Sequence, residues 1–201
     1  MSKRLRVAGL AVVLALLSGA AVAAEVDAAT VAYARGDYQT ALKDWLPLAQ
    51  RGDVAAELRV GQMLRDRQGV RWRDFEGAAS WFRRAAAQGS VDAQYALGRL
   101  HYEGFLVPRN TMEMQAMLRA AAWQGDARAQ LTLGVIYEYG LDDIDSDYTA
   151  ALMWYELAAR RGVTELDGKI AKLRSRVSEK MTQAQIAEAL RRAQAWEPTL
   201  E

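Results

Sequence analysis

Small and apolar residues return along this chain at offsets that suit helices packed in pairs. Four residues after each of Asp37, Asp74, Asn110 and Asp147 stands Ala41, Ala78, Met114 or Ala151. Leu48-Ala49, Ala85-Ala86, Ala121-Ala122 and Ala158-Ala159 follow eleven and twelve residues after the same starting points. Offsets of four and eleven fall on one side of a 3.6-residue helix, and the twelfth residue widens that side by one face. Glycine and proline are sparse inside these segments, β-branched residues are scattered and alanine is abundant. That composition favours helix throughout.

A longer period organises the pattern. Gly52, Gly89, Gly125 and Gly162 are spaced 37, 36 and 37 residues apart, and each lies fifteen residues after one of the Asp or Asn positions. Gly61, Gly98 and Gly134 lie nine residues after the first three. Self-similarity at a period of 20–50 residues marks a stacked repeat array. Each unit is predicted to hold two helices: helix A after the spaced glycine, as in Val91 to Tyr102, and helix B after the Asp or Asn, as in Asp74 to Gly89. Asp37, Asp74, Asn110 and Asp147 are expected N-caps, and Asn110 with Glu113 also has capping-box spacing. The spaced glycines are expected to end helix B in a left-handed conformation. Glycine inside helix A costs about 1 kcal/mol relative to alanine, so Gly61, Gly98 and Gly134 imply close contact with a neighbouring helix. Length varies only between the helices of a unit, as a solenoid allows.

Both ends are modified. A short helix, about Asp27 to Ala34, precedes the first helix B, and Thr182 with Gln185 begins the last helix as a second capping-box pair. Ile186 and Ala193 then take the inward positions of a terminal pair rich in lysine and arginine. Residues 1–24 form an expected secretory signal peptide: Lys3, Arg4 and Arg6, an apolar run from Val7 to Leu17, then small residues that place cleavage after Ala23 or Ala24. Residues 25–201 form a single array: a partial unit at 25–52, full repeats at 53–89, 90–125 and 126–162, and capping helices at 163–201. About ten helices result.

Cysteine is absent, so packing alone holds an exported, periplasmic or secreted chain. Removal of the leader leaves 23 basic residues against 25 acidic ones. That balance argues against a nucleic-acid partner, and the absence of a second long apolar run argues against stable membrane insertion. A monomer or weak oligomer is expected.

Little in the chain points to catalysis. His101, the single histidine, has no local cysteine or histidine partner and occupies a helix-A position held by Tyr137 in the next unit, which makes it a packed or rim residue. Scattered serines offer no nucleophile and base constellation. Asp143, Asp145 and Asp147 have the opening spacing of a calcium loop, but Tyr148 and Trp154 stand where glycine and glutamate are required. Paired carboxylates are equally poor candidates, because Glu57, Glu103 and Glu138 lie in different units. No cofactor or metal is expected and the chain is not expected to be an enzyme. Arg59, Arg65, Arg67, Arg71 and Arg73 crowd around Trp72 in the first full unit; the run reads as a solvated face, with an anionic glycan as the alternative ligand.

At Ala93-Gln94-x-x-Leu97-Gly98-x-x-x-Tyr102-x-Gly104, at Ala129-Gln130-x-x-Leu133-Gly134 and at Asp147-Tyr148-x-x-Ala151-x-x-Trp154-Tyr155-x-x-Ala158-Ala159-x-x-Gly162, the chain resembles the Sel-one-like repeat family. The likeness covers essentially the whole mature chain. It departs at Met114 and Met117, where alanine and tryptophan are expected, at Leu106 in place of a loop glycine, and at Val60 in place of leucine. The resemblance implies an all-α, right-handed superhelical solenoid, tetratricopeptide-like, with helix A lining a concave face that binds a protein or peptide partner. It implies a non-enzymatic scaffold or regulator in the cell envelope, with an envelope glycan-binding or glycan-processing factor as the alternative. On that geometry, helical projection places Leu58, Gln62, Arg65, Tyr95, Arg99, Tyr102, Leu131, Val135, Glu138 and Tyr139 in the partner-binding groove.

Overall fold

The structure, a computed structural model, describes residues 28–106 and 108–197, so the expected signal peptide and its cleavage site lie outside the described residues. Among them the elements are α1 (28–34), α2 (Tyr38–Gln50), α3 (Val54–Asp66), α4 (Phe75–Ala87), α5 (Val91–Tyr102), α6 (Thr111–Trp123), α7 (Ala127–Tyr139), α8 (Tyr148–Ala159), α9 (Thr164–Ser178) and α10 (Gln183–Ala195). The order is that of an all-α solenoid of helix pairs. Its helices fall into two compact units, α1–α4 up to Gln88 and α5–α10 from Gly89.

Local chemistry sets the helix boundaries. Asp37, Asp74, Asn110 and Asp147 each accept a hydrogen bond from the backbone N–H three residues on, which occupies one of the free amides of the first turn. Thr182 and Gln185 form the full reciprocal box. Asn110 differs from expectation, because its own N–H donates to His101 Nδ1 at 3.2 Å while the Glu113 carboxylate accepts from His101 Nε2 at 2.9 Å. With Nδ1 accepting, Nε2 carries the ring proton. His101 is buried and works as a splint between α5 and the start of α6.

Helix A has caps that the repeat pattern did not single out. Asp53, Ser90 and Asp126, each directly after a spaced glycine, accept from Ala56, Ala93 and Ala129 at 2.8, 3.3 and 2.9 Å. The spaced glycines themselves all have positive φ, between 60° and 90°, as a left-handed helix end requires. Asp53→Ala removes one cap without touching the core. It is expected to lower the stability of the N-terminal unit by about 1 kcal/mol, read from urea unfolding, and no change would show that the cap is redundant.

The interior glycines seat large side chains of helix B. A Cβ built on Gly61 lies 2.6 Å from the Phe82 ring, and one on Gly98 lies 2.7 Å from Leu118 Cγ. Gly134 meets the Tyr155 ring in the same way. Phe82, Leu118 and Tyr155 all stand eight residues after their N-cap, so the contact is a property of the repeat. A second recurring contact is polar. Five residues after the spaced glycine come Glu57, Gln94 and Gln130, all buried. Glu57 accepts from Gln88 Nε2 at 2.9 Å and pairs with Arg84 at 2.8 Å, and Gln94 accepts from Gln124 Nε2 at 2.9 Å. Gln130 donates to the Ala122 carbonyl at 3.0 Å. Buried polar groups must be bonded to be tolerated, and here they tie helix A to helix-B ends.

The N-terminal core joins Ala41, Trp45, Leu48 and Ala49 of α2 to Ala56, Val60 and Met63 of α3, with Tyr33, Tyr38 and Trp45 in ring contact at 5.2 and 5.5 Å. In the C-terminal unit Met114, Leu118, Leu133, Ile136, Trp154 and Leu157 form one cluster, and Leu131, Leu152, Tyr155, Ile170, Leu173 and Val177 another. Met114 and Leu106, two departures from the family pattern, are both buried. The terminal helices differ from a simple last pair. Both α9 and α10 pack mainly on α8, and Arg160 donates to the Ala193 carbonyl at 2.5 Å to fix α10 there.

Candidate partner-binding cleft

In the C-terminal unit two helix-A elements, α5 and α7, and the terminal helix α9 present one turn-by-turn face each. Tyr95, Arg99 and Tyr102 recur at i, i+4 and i+7 on α5, and Arg128, Leu131, Thr132 and Val135 do the same on α7. Leu166 and Lys169 follow at i, i+3 on α9. Together with Glu103 they line a cleft of about 310 Å³.

The floor of the cleft is aliphatic and its rim is aromatic and charged. Leu131 is buried, while Val135 and Leu166 are half-buried between helices. Arg128 bridges neighbouring repeats: it donates to Asp92 at 2.5 Å and to its own helix cap, Asp126, at 3.1 Å. Its guanidinium also lies 4.5 Å from the Tyr95 ring centre, and that of Arg99 lies 5.8 Å away. Tyr95 thereby lies within cation–π reach of two guanidinium groups, which restrains its ring. The hydrogen bond to Asp126, then the bond to Asp92, raise the Arg128 pKa against the opposing effect of burial. Arg99 pairs with Glu103. Burial, then the nearby Glu103 charge, raises the Tyr102 phenol, which stays a neutral donor and acceptor.

Five of the residues projected from sequence, Tyr95, Arg99, Tyr102, Leu131 and Val135, therefore line this cleft. The other five lie elsewhere. Leu58, Gln62 and Arg65 belong to the N-terminal unit, where Gln62 accepts from Arg59 and Arg65 pairs with Asp66 at 2.7 Å. Tyr139 is 61% exposed and faces Arg176 at 5.3 Å and Lys180 at 6.0 Å. Glu138 is turned inward, only 2% exposed, and does not reach the cleft. It accepts from Tyr155 Oη at 2.8 Å and takes a two-pronged bond from Arg176 at 2.7 and 2.7 Å. Burial acts to raise its pKa, but the Arg176 and Tyr155 hydrogen bonds and the Lys180 charge outweigh it and hold the carboxyl below its ordinary value.

Sequence projection missed Arg128, Thr132, Leu166 and Lys169. Arg128 stands three residues before Leu131 and shares its face, so extending the projection by one turn would have found it. Leu166 and Lys169 lie on the terminal pair, whose lysine- and arginine-rich sequence reads as a polar cap.

Comparison with known proteins is consistent with the repeat geometry. The Sel1 repeat model matches residues 54–90, 91–125 and 127–163. Among solved structures, a protective antigen present in uropathogenic Escherichia coli strains, which displays an SLR fold, aligns at a TM-score of 0.69 and 30% identity. The alignment covers 78% of this chain and 32% of that one. A Sel1 repeat protein from Oxalobacter formigenes aligns at a TM-score of 0.62 and 24% identity, over 78% of this chain and 62% of its own. The chain thus spans about a third of the first and under two thirds of the second. Folds of this type are typically non-catalytic protein-interaction scaffolds, and no described helix is long and apolar enough to cross a membrane. With three consecutive repeats matched over more than half of its length, the chain belongs to the Sel1 repeat family.

Proposed function

We propose that this protein is a non-enzymatic scaffold or regulator of the cell envelope that holds a protein or peptide partner against the helix-A face of its C-terminal unit. The cleft between α5, α7 and α9 carries the proposal. Aromatic anchors over an aliphatic floor, ringed by arginine, are the composition that dominates interface energetics. Tyr95 and Tyr102 supply area at low entropic cost, and Leu131 and Val135 supply a dry base. Arg99, Arg128 and Lys169 can meet acceptors on a bound segment. Export places the partner in the envelope, and N-terminal sequencing of the mature protein from periplasmic extracts is expected to begin at Ala24 or Glu25.

A photo-crosslinking residue at Val135 is expected to capture a discrete protein in intact cells. The same residue at Met112, exposed on α6 and outside the cleft lining, is expected not to. Once the partner is identified, Tyr102→Ala is expected to weaken its binding by about 2 kcal/mol, roughly thirtyfold. Identical captures from both positions, or unchanged affinity of Tyr102→Ala, would remove the cleft from the function.

A further inference from the structure

Most of the described arginines bond to a carboxylate, a carbonyl, a hydroxyl or an amide. Among the described residues the guanidinium groups of Arg35, Arg67, Arg71 and Arg73 make no hydrogen bond and no ion pair. All four lie on the two loops that bound one polar cleft of the N-terminal unit, some 580 Å³ in volume. Gly36, Asp37, Tyr38 and Gln39 line it from the α1–α2 turn, and Gly69, Val70 and Arg71 from the α3–α4 loop. Arg59 and Arg65, the other members of the sequence cluster, are engaged with Gln62 and Asp66. Within that cluster the arginines without such a partner, Arg67, Arg71 and Arg73, are therefore those of the α3–α4 loop beside the cleft.

The α3–α4 loop is held in one shape. Arg67 ends α3 in the left-handed region at φ 61°, and the Gln68 N–H returns to the Met63 carbonyl at 2.8 Å. Gln68 then accepts from the Tyr33 hydroxyl at 3.0 Å. Gly69 passes so close to the Tyr38 carbonyl that a Cβ would lie 2.5 Å from its oxygen. The Asp74 N–H to the Leu64 carbonyl, at 3.1 Å, closes the loop. Between these anchors Trp72 is left 68% exposed, with the Arg71 guanidinium 5.4 Å from its ring centre. Exposing an indole on a pinned loop gives the fold no packing energy.

We propose that this cleft and its Trp72 rim bind an acidic saccharide. An open indole face offers an apolar plate for the C–H face of a sugar ring. Arg71 and Arg73 flank it and suit a carboxylate or phosphate carried by the ring. The cleft wall supplies Gln39 as donor and acceptor and Asp37 as acceptor for ring hydroxyls. Thr40, through its side chain and then its amide, holds the Asp37 carboxyl below its ordinary value, so it remains an acceptor. A peptide fits less well, because Val70 is the one aliphatic side chain in the lining. A flat lipid surface would use Trp72 and the arginines and leave the recess empty.

Titration with trigalacturonate, with muramic acid and with the neutral trisaccharide obtained by reducing the galacturonate carboxyls tests this directly. Saturable binding of at least one acid is expected, with the neutral trisaccharide weaker by about tenfold. Trp72→Ala and the Arg71→Gln/Arg73→Gln pair are each expected to lose about tenfold, while Tyr102→Ala binds as the wild type does. Arg71, Trp72 and Arg73 are exposed side chains, and matching thermal unfolding will show that the unit stays folded. The proposal fails if neither acid saturates at millimolar concentration, if the neutral trisaccharide binds equally, or if Trp72→Ala is silent. Retention on phosphatidylglycerol vesicles that trigalacturonate does not displace would overturn it in favour of a membrane surface. None of these outcomes bears on the α5–α7–α9 cleft.

Discussion

Glu138→Ala is expected to destabilise the C-terminal unit by about 3 kcal/mol at neutral pH, in urea unfolding followed by far-UV circular dichroism. Removing one partner of a buried ion pair costs about 3–5 kcal/mol, because the remaining polar groups lose their compensation. Here the Tyr155 hydroxyl is buried and keeps no other acceptor shown among its contacts, whereas Arg176 is roughly half exposed and can turn to water. The loss therefore falls at the lower end. The pH dependence has a definite sign. The folded carboxyl is held below its ordinary value, so its stabilisation is complete above the unfolded value, near 4.5, and is lost as the pH falls through the folded one. The stability gap between wild type and Glu138→Gln should accordingly close below about pH 4.5. At the alkaline end Tyr155, raised by burial first and then by Glu138, adds stability that is lost above pH 10, where the unfolded phenol ionises. A gap that stays constant from pH 7 to pH 3 would show that Glu138 is not the charged partner.

The part of this fold that sequence made legible is the part governed by short-range geometry. An N-cap reaches three residues ahead, a helix-ending glycine closes a turn of five or six, and small residues at offsets of four and eleven share a face. Asp74, Gly89 and Ala78 could be assigned from those rules alone, and the structure places them in those roles. Side-chain partners across helices were another matter. Gly61, Gly98 and Gly134 announced a close neighbour without naming it, and the neighbour proved to be the eighth residue of helix B, beside the tryptophan position that draws the eye. Glu138 shows the same limit on a projected groove residue. Helical spacing alone sets it on the side of Leu131 and Val135, and only the reach of Arg176, 38 residues away, turns it into a buried anchor. The candidate cleft was half legible for this reason. Two of its walls are helix-A faces that repeat, whereas the third comes from α9, where the repeat pattern has already degenerated into the terminal pair.

Gly134→Ala and Gly168→Ala are expected to shift stability in opposite directions, although both replace a glycine inside a helix of the same unit. On propensity alone each should gain about 1 kcal/mol. At Gly168, in α9, an added Cβ meets nothing within 4 Å, so that gain should appear in full as a later urea midpoint. At Gly134 the new methyl would occupy the space of the Tyr155 ring. That ring cannot yield easily, because its hydroxyl is fixed to Glu138 and its body is packed among Leu131, Leu152 and Ile170. Overpacking a filled core costs about 1–3 kcal/mol, and a rigid ring held at both ends puts this site at the upper limit. The net expectation is a loss of about 2 kcal/mol for Gly134→Ala and a larger loss for Gly134→Leu. Leu118, seated on Gly98, has rotamers available to it, so Gly98→Ala should fall between the two alanine variants. If Gly134→Ala proved as stabilising as Gly168→Ala, the recurrence of glycine nine residues into helix A would need a cause other than the side chain it seats.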